Sequence, residues 1–272
     1  FGQGAFVSPH VTGTTPPPGT SNVPTNTKVA INFSDPMADD TATYILKNFV
    51  KLFTVSGTTE TDVTTSAIDT VTLNAAKTGA TVNLKSTFNS GAYAASTKYR
   101  LKVLGGAKGA SGMLLSPSAG QETSVFYTSE FTAGTTADTA APTVIGSFPD
   151  SSATSVPVNI GAINVGFSKD MDPATITTST ISLTIGSSVV NGTGEYKSLE
   201  RQAFFTPSTV LSANTTYTLT VTTGVKALNG VALASAVTRT FTTGSADSTA
   251  PAISFINADD FGYTQEVNLG IL

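Results

Sequence analysis

The chain contains two successive copies of one sequence pattern, and this repeat constrains the fold more than any other feature. The residues that recur in the same order in both copies include Pro9 and Pro142, Val23 and Val156, Phe33 and Phe167, Met37 and Met171, and Tyr99 and Tyr217. The spacing between the copies shrinks along the chain because the first copy carries insertions. Insertions confined to connections are typical of loops on a fixed scaffold. The sequence therefore predicts two units of one fold in tandem.

Short segments in both copies alternate apolar and polar residues. These segments include "VAINF" (29–33), "YRLKV" (99–103) and "YTLTV" (217–221). Strict alternation places one face of a strand in a core and the other in water, so Ala30 and Asn32 are expected to point outward. Strands of this kind, separated by Gly, Pro and Asn turns, indicate an antiparallel sandwich. We predict an all-β fold of two tandem β-sandwiches followed by a short C-terminal extended segment.

The repeat divides the chain into five segments. Short polar stretches that end in proline, "GTTADTAAP" and "GSADSTAP", follow the two copies and are typical of stiff links between domains. The predicted segments are an N-terminal extended tail (1–8), a first sandwich with insertions (9–134), a linker (135–141), a second sandwich (142–244), and a last segment (245–272) that is a linker with a partial third unit or an exchanged strand.

Three local motifs predict specific structures. In "YAASTKY" (93–99) and "LSANTTY" (211–217), a tyrosine stands at the entry to a core strand, which indicates a tyrosine corner whose hydroxyl bonds a nearby backbone group. Asp172 is followed by Pro173, a favourable pair for capping and starting a helical turn. The insertion "TATYILKNFVKLF" (41–53) has apolar residues at roughly helical spacing, which predicts a short helix.

Composition limits the partners that the chain can have. Only 12% of the 272 residues are charged, the net charge is −4, and no basic cluster occurs, which argues against nucleic acid as a partner. No apolar run approaches the roughly 20 residues that a membrane-spanning helix needs. The chain is rich in threonine, poor in lysine and free of cysteine. This composition predicts a β-protein on the outside of a prokaryotic cell.

Several strings of the second copy resemble a known family. "FSKDMDPATIT", "LSANTTYTLTVTTGVKALNGVAL" and "TRTFTTG" closely resemble bacterial Ig-like domains of the type first described in S-layer proteins. The resemblance covers residues 141–244 almost throughout, and the first copy is a more diverged version. It implies tandem Ig-like sandwiches in an extracellular setting, where such domains act as spacers, lattice contacts or ligand-presenting modules. It carries over no catalytic residue, because these domains have none.

The residue types that enzymes use are scarce or scattered. His10 is the single histidine and cysteine is absent, so Cys/His chemistry is excluded and a Ser-His-Asp triad would depend on His10 alone. Glycoside hydrolysis needs two carboxylates that face each other across a cleft. The glutamates on turns and strands are expected to stand singly; they include Glu60, Glu122, Glu130 and Glu195. We predict no catalytic site and no enzyme.

Clustered aspartates raise the question of calcium, which prefers carboxylate oxygens. The aspartates at expected loop tips and linkers are Asp35, Asp39, Asp40, Asp138, Asp170, Asp172 and Asp247. Their spacing fits no EF-hand loop, and helix capping explains part of the cluster. We therefore assign no metal ligand and no cofactor, and calcium is the one ion that these oxygens could bind.

Two features bear on carbohydrate. Asn32, Asn191 and Asn214 each open an Asn-X-Ser/Thr triplet, so a glycan could be attached if the host glycosylates. A carbohydrate-binding surface would need exposed aromatic rings, and without tryptophan the candidates are tyrosines. Those candidates are Tyr44, Tyr127 and Tyr196.

The two ends of the chain carry apolar residues that are costly to leave in water. Residues 1–8 and 252–272 are each too short to fold alone, so they belong to a longer protein or add as strands to a neighbouring subunit. We expect an extracellular structural protein of a surface layer or filament that self-associates through these two segments. The alternative is an adhesin, or a carbohydrate-binding accessory module of a larger secreted protein or hydrolase.

Overall fold

The computed structural model describes residues 8–38, 46–117 and 124–245. These residues form two β-sandwiches, one for each copy of the repeat, and each sandwich pairs a four-stranded sheet with a five-stranded sheet. The prediction of an all-β fold with two tandem sandwiches is confirmed. The four-stranded sheet of the first sandwich contacts loops of the second sandwich.

The first unit has sheets of strand order β1-β3-β7-β6 and β2-β9-β8-β4-β5. Its strands are β1 (Val11–Thr15), β2 (Thr20–Val23), β3 (Val29–Phe33), β4 (Val50–Ser56), β5 (Thr59–Asp62), β6 (Ile68–Leu73), β7 (Gly79–Leu84), β8 (Lys98–Leu104) and β9 (Val125–Ala133). Its helical segments are single turns: a 3₁₀ helix (Leu46–Phe49), an α-helix (α1, Thr64–Ala67) and a second 3₁₀ helix (Asn89–Gly91).

The second unit repeats this topology with sheets β10-β12-β16-β15 and β11-β18-β17-β13-β14. Its strands are β10 (Val144–Phe148), β11 (Ala153–Val156), β12 (Ile163–Phe167), β13 (Ile181–Ile185), β14 (Ser188–Val189), β15 (Gly192–Lys197), β16 (Gln202–Pro207), β17 (Thr216–Val221) and β18 (Val237–Thr243). A 3₁₀ helix (Pro173–Thr175) lies between β12 and β13.

One pair of strands in each unit is parallel, which the alternation pattern did not predict. β2 runs parallel to β9, and β11 runs parallel to β18. In each unit the first chain segment crosses from one sheet to the other, so its second half lies beside the last strand in the same direction. All other strand pairs in the described part of the chain are antiparallel.

The predicted tyrosine corners are present in both units. The Tyr99 hydroxyl accepts a hydrogen bond from the Ala94 backbone N–H at 2.9 Å, and the Tyr217 hydroxyl accepts one from the Ser212 N–H at 2.8 Å. Both tyrosines are buried, and burial raises the pKa of Tyr99. Each ring packs in the core of its unit while its hydroxyl accepts a hydrogen bond from a backbone N–H of the preceding turn.

The short helix predicted for the insertion 41–53 is confirmed as one turn within the described residues 46–53. Within the described residues of this segment, only Leu46–Phe49 form a helical turn, and β4 begins at Val50. Val50 and Leu52 are buried and pair with Val103 and Leu101 of β8. Of the apolar residues that suggested the helix, Leu52 lies on the core strand β4, where pairing with β8 outweighs local propensity. Phe49 lies in the helical turn, and Tyr44 and Ile45 lie outside the described residues.

Tyr93 carries a buried hydroxyl that neither donates nor accepts a hydrogen bond among the described residues. Its ring lies 4.7 Å from the Tyr99 ring and 4.9 Å from the Phe131 ring, centroid to centroid. Burial raises its pKa strongly. The second copy has Leu211 at the corresponding position, also buried, so the fold needs an apolar side chain here rather than a hydroxyl.

We predict opposite effects for two substitutions in this ring cluster. Tyr93→Phe should raise the free energy of unfolding by about 1 kcal/mol, because it removes an unpaired buried polar group. Tyr99→Phe should lower it by about 1 kcal/mol, because the Ala94 N–H loses its acceptor. Urea unfolding followed by circular dichroism measures both, with Tyr217→Phe as the matched control in the second unit. Equal losses for Tyr93→Phe and Tyr99→Phe would contradict this account.

Candidate functional site at the junction between the units

The two units meet where the outer face of sheet β1-β3-β7-β6 is covered by loops of the second unit. We call this contact the junction, and we call the turn 168–175 and the hairpin 225–233 the leading end of the second unit. Ala30 is fully buried although it lies outside the core of the first unit. Four successive residues of β7, Gly79 to Val82, are also buried. The prediction that Ala30 faces water is wrong, because the second unit covers that face.

Small residues allow this close contact. A Cβ atom added to Gly79 would lie 3.2 Å from Nδ2 of Asn74 and 3.7 Å from Cβ of Pro173, so Gly79 lies directly against both residues. Thr81 and Ala30 are paired neighbours on β7 and β3, and both are fully buried. A larger side chain at Thr81 or Ala30 would separate the units or force the backbones apart.

Asp172 is the central polar group of the junction. As predicted, it caps the turn that begins at Pro173, since its Oδ1 accepts from the Ala174 N–H at 3.1 Å. It also has partners that the sequence did not predict: Thr81 Oγ1 donates to its Oδ1 at 2.6 Å, and Lys28 Nζ lies 2.8 Å from its Oδ2. Its side chain is only 3% exposed. A buried carboxylate requires such partners, and two of the three come from the other unit.

Backbone and side-chain hydrogen bonds extend the contact to both sides of Asp172. The Lys28 N–H donates to the Leu228 carbonyl at 2.7 Å, and Asn32 Nδ2 donates to Ser198 Oγ at 2.9 Å. Leu228 is buried although it is not part of the second core. Asn32 does point out of its own sandwich, as predicted, but it points into the second unit.

The linker is bonded to the first unit through Asn26. Its amide pairs with the Asp138 backbone: Nδ2 donates to the Asp138 carbonyl at 2.8 Å, and Oδ1 accepts from the Asp138 N–H at 2.9 Å. Asn26 Nδ2 also donates to the Asn229 carbonyl at 2.9 Å, so one amide joins the first unit, the linker and the second unit. The Thr25 N–H adds a bond to the Thr136 carbonyl.

The linker is also bonded to the second unit. Lys169 Nζ lies 2.6 Å from Asp138 Oδ2, and this bond, with the Ala140 N–H, holds the pKa of Asp138 below its ordinary value. Asn229 Nδ2 donates to the Ala140 carbonyl at 3.0 Å. The linker is therefore bonded to both units.

A cleft beside the linker contains charged side chains of the second unit. Arg201 Nε donates to Asp170 Oδ1 at 2.8 Å, which raises the pKa of Arg201, and Lys169 is paired with Asp138. Because these charges neutralise one another, the cleft offers a ligand no unpaired charge from them. Paired charges of this kind are typical of the rim of a contact between domains rather than of a catalytic site.

The predicted acidic cluster separates into individual partners. Asp35 accepts from Ser34 Oγ at 2.6 Å, while Asp170 and Asp172 pair with different cations. In residues 8–38, 46–117 and 124–245, no group of three or more His, Cys, Asp or Glu side chains could hold a metal ion. Asp39, Asp40 and Asp247 lie outside the described residues.

The expectation that the glutamates stand singly is wrong for two of them. Arg100 on β8 bonds both Glu60 and Glu130, and Lys98 and Lys102 flank it. A hydrogen bond from Lys98, and to a smaller extent one from Arg100, holds the pKa of Glu130 below its ordinary value. The cations on alternate positions of β8 bring these carboxylates into one surface row. Glu195 is exposed on β15, and Glu122 lies outside the described residues.

The remaining candidates are distributed over the surface and cores. His10 is exposed, and its backbone N–H, rather than its ring, donates to Ser34 Oγ. Tyr196 is only 6% exposed, so it cannot serve as a carbohydrate platform. Its hydroxyl accepts from the Met171 N–H at 2.8 Å, and burial raises its pKa to about 12. Tyr127 is half-buried against the first core.

The other carbohydrate candidates differ in their accessibility. Asn32 is bonded within the junction, so a glycan there would compete with the second unit. Asn191 and Asn214 are exposed in the second unit. Tyr44 lies outside the described residues. Only the triplets at Asn191 and Asn214 therefore remain as candidate glycan positions.

Comparison with known proteins gives the family. The model of the bacterial Ig-like domain matches residues 7–132 and 138–243. The chain therefore belongs to the bacterial Ig-like domain family, with two copies in tandem. No enzyme family is indicated, and these domains are typically non-catalytic modules. No curated protein matches the chain in sequence.

Solved structures with a similar fold include the N-terminal part of the bacterial S-layer protein SbsC. The match has 16% identity and a TM-score of 0.33, and it covers 87% of this chain and 45% of that one. The titin fragment A168169 is similar at 11% identity and a TM-score of 0.26, over 89% of this chain and 100% of that one. Immunoglobulin domains 1–5 of Sidekick-1 are similar at 9% identity and a TM-score of 0.27, over 88% of this chain and 39% of that one.

The chain spans less than half the length of the S-layer structure to which it is similar. The family suggests a surface or extracellular structural or adhesion module. Among the described residues, no helix has the length and apolar character needed to span a membrane.

A double-mutant cycle tests the bond between the units. Lys28→Ala and Asp172→Ala should show a coupling free energy of about 1 to 2 kcal/mol, because the two groups pair across the junction. Urea unfolding of the two single variants and the double variant gives this value. The matched pair Asp170→Ala and Arg201→Ala, within one unit and more exposed, should couple by less than about 1 kcal/mol. Additive effects of Lys28→Ala and Asp172→Ala would mean that the units do not dock as described.

Proposed function

We propose that this chain is a structural segment of an extracellular surface layer or filament in a prokaryote, related to the Ig-like domains of S-layer proteins. It acts as a stiff two-domain spacer that holds its neighbours at a set distance and angle. The observation that carries this proposal is the junction, where Asp172 and Asn26 bond the second unit and the linker to the first.

A module that transmits force or forms a lattice needs a defined shape more than it needs chemistry. Interfaces between domains of one chain are often mobile unless they are large or specifically bonded. Here the linker is bonded on both sides, and a buried carboxylate has partners in both units. Any hinge motion would leave Asp172 buried or exposed without its partners, which opposes motion.

The alternative role, an adhesin or a carbohydrate-binding accessory module, receives less support. Tyr196, one of its three candidate rings, is in the core of the second unit. The charged side chains beside the linker are paired with each other. A binding role would therefore depend on surfaces other than Tyr196 and these paired charges, and binding to a glycan array would favour this alternative.

A distance measurement between the units tests the stiffness. The chain has no cysteine, so spin labels can be placed at Thr58→Cys and Ser187→Cys, which are exposed in corresponding turns of the two units. Pulsed electron paramagnetic resonance should give one narrow distance distribution. Adding Lys28→Ala and Asp172→Ala should broaden it. A broad distribution in the parent pair would contradict the proposed spacer.

Terminal segments are the second part of the proposal. We expect residues 1–8 and 252–272 to link neighbouring subunits by strand addition, which gains backbone hydrogen bonds. Negative-stain microscopy of the full chain should then show regular sheets or filaments. Variants that lack either segment should lose this order while each unit keeps its circular dichroism spectrum. Normal assembly without both segments would contradict this part of the proposal.

A further inference from the structure

The second unit has an outer sheet face that corresponds to the one covered at the junction, and its residues are of a different kind. In the first unit, one row across the sheet consists of Thr15, Ala30, Thr81 and Thr72. The corresponding row of the second unit consists of Phe148, Asn164, Phe204 and Glu195. Ala30 and Thr81 are fully buried, whereas every residue of the second row is exposed or partly exposed. The covered face is thus built from small residues, and its counterpart from aromatic and polar ones.

Two phenylalanine rings form the apolar part of this face. Phe148 is 57% exposed, and Phe204 is partly exposed. They lie on β10 and β16, with β12 between them, so their backbones are about 10 Å apart at the usual spacing of strands. Large exposed rings on a sheet face are typical of a binding surface. Both rings are phenylalanines, whereas the sequence indicated only tyrosines as candidates.

Polar side chains lie between and beside the two rings. Asn164 separates them in the row, Glu195 is paired with Phe204, and Gln202 and Lys197 are paired in the next row. No hydrogen bond within the described part of the chain uses the side chains of Asn164, Gln202 or Glu195. Their amides both donate and accept hydrogen bonds, and the carboxylate accepts them. These groups are therefore available to a ligand that rests on the rings.

The next row across the sheet carries few side chains. It consists of Gly146, Gly166, Gln202 and Lys197. A Cβ atom added to Gly146 would meet nothing within 4 Å, and one added to Gly166 would lie 3.3 Å from the side chain of Ile145. Because the two glycines add no side chains, a ligand can lie across the sheet beside the rings and reach the Gln202 amide.

The charges of these two rows balance each other. Glu195 is their one acid and Lys197 their one base, and Lys197 Nζ lies 4.6 Å from the centre of the Phe204 ring. A face without net charge does not attract a polyanion such as nucleic acid. Exposed rings combined with amides match a molecule that has apolar C–H faces and many hydroxyl groups, because the rings contact the first and the amides bond the second. An uncharged sugar has both.

We propose that the outer face of sheet β10-β12-β16-β15 binds an uncharged polysaccharide. The C–H faces of its sugars pack on Phe148 and Phe204, and its hydroxyl groups bond Asn164, Gln202 and Glu195. The separation of the two rings lets them contact different sugars of one polysaccharide chain. This inference goes beyond the proposed spacer, since it gives the segment a ligand in addition to a shape.

Affinity electrophoresis of the full chain tests the proposal. Native gels contain hydroxyethyl cellulose, laminarin, glycogen or mannan, and a gel with polygalacturonate is the charged control. At least one of the four uncharged polysaccharides should retard the parent chain, and polygalacturonate should not. Val189→Ala is the matched control variant, because Val189 is 68% exposed on β14 in the other sheet. It should be retarded like the parent.

Two substitutions of Phe148 separate ring stacking from simple apolar contact. Phe148→Leu keeps a large apolar side chain but removes the ring, so it should bind at least about tenfold more weakly. Phe148→Tyr keeps the ring and should weaken binding far less. Asn164→Ala removes an amide between the rings and should weaken binding about fivefold. Phe148 is exposed, so its variants should keep the parent melting temperature, and Phe204→Leu gives a second break of the face if Phe148→Leu unfolds.

Several outcomes would overturn the inference. These are a parent chain that none of the four uncharged polysaccharides retards, a Phe148→Leu chain that is retarded like the parent, and an equal loss of binding in Val189→Ala. Self-association of the parent that Phe148→Leu abolishes would instead make a second copy the occupant of the face. Binding that appears only after residues 252–272 are deleted would make that segment the occupant. The spin-label distance between the units does not depend on this face, so it tests the proposed spacer separately.

Discussion

The structure depends on one buried carboxylate. Asp172 is an ordinary helix cap when only its own unit is considered, but it lies under the first unit with Lys28 and Thr81 as partners. A charge in that position is tolerated only while both units supply their hydrogen bonds. Asp172 therefore links the two sandwiches, and the proposed stiffness of the pair rests on this contact.

The same carboxylate makes the contact selective. The first unit offers a small, polar face to Asp172, whereas the second unit offers Phe204 and Ala162 at the corresponding positions. Asp172 thus has a lysine and a threonine hydroxyl as partners at the first unit, and the corresponding positions of the second unit carry neither residue type. A buried carboxylate that loses such partners is costly, so this contact depends on the residues of the first unit.

Much of the fold could be predicted from the sequence, because the repeat, the alternation and the tyrosine motifs all depend on local spacing. The capping role of Asp172 was predictable for the same reason. The junction was not, because Ala30 and Asn32 look like ordinary outward positions and only the second unit decides what covers them. Two features of the sequence could have indicated the junction. One is the run of small residues "GATV" (79–82), and the other is that Asn26 and Asp138 of the first copy have counterparts in Asn159 and Asp247. The helical spacing in 41–53 extended to Leu52, but the helical turn ends at Phe49, because the residues from Val50 onward pair with β8.

The central claim is that both units move as one body in solution. Residual dipolar couplings of backbone amides, collected for each unit in one weakly aligned sample, test it most directly. The account predicts that the two sets of couplings fit a single alignment tensor with the orientation of the structure. Two tensors of different magnitude would show independent motion of the units and would contradict the account.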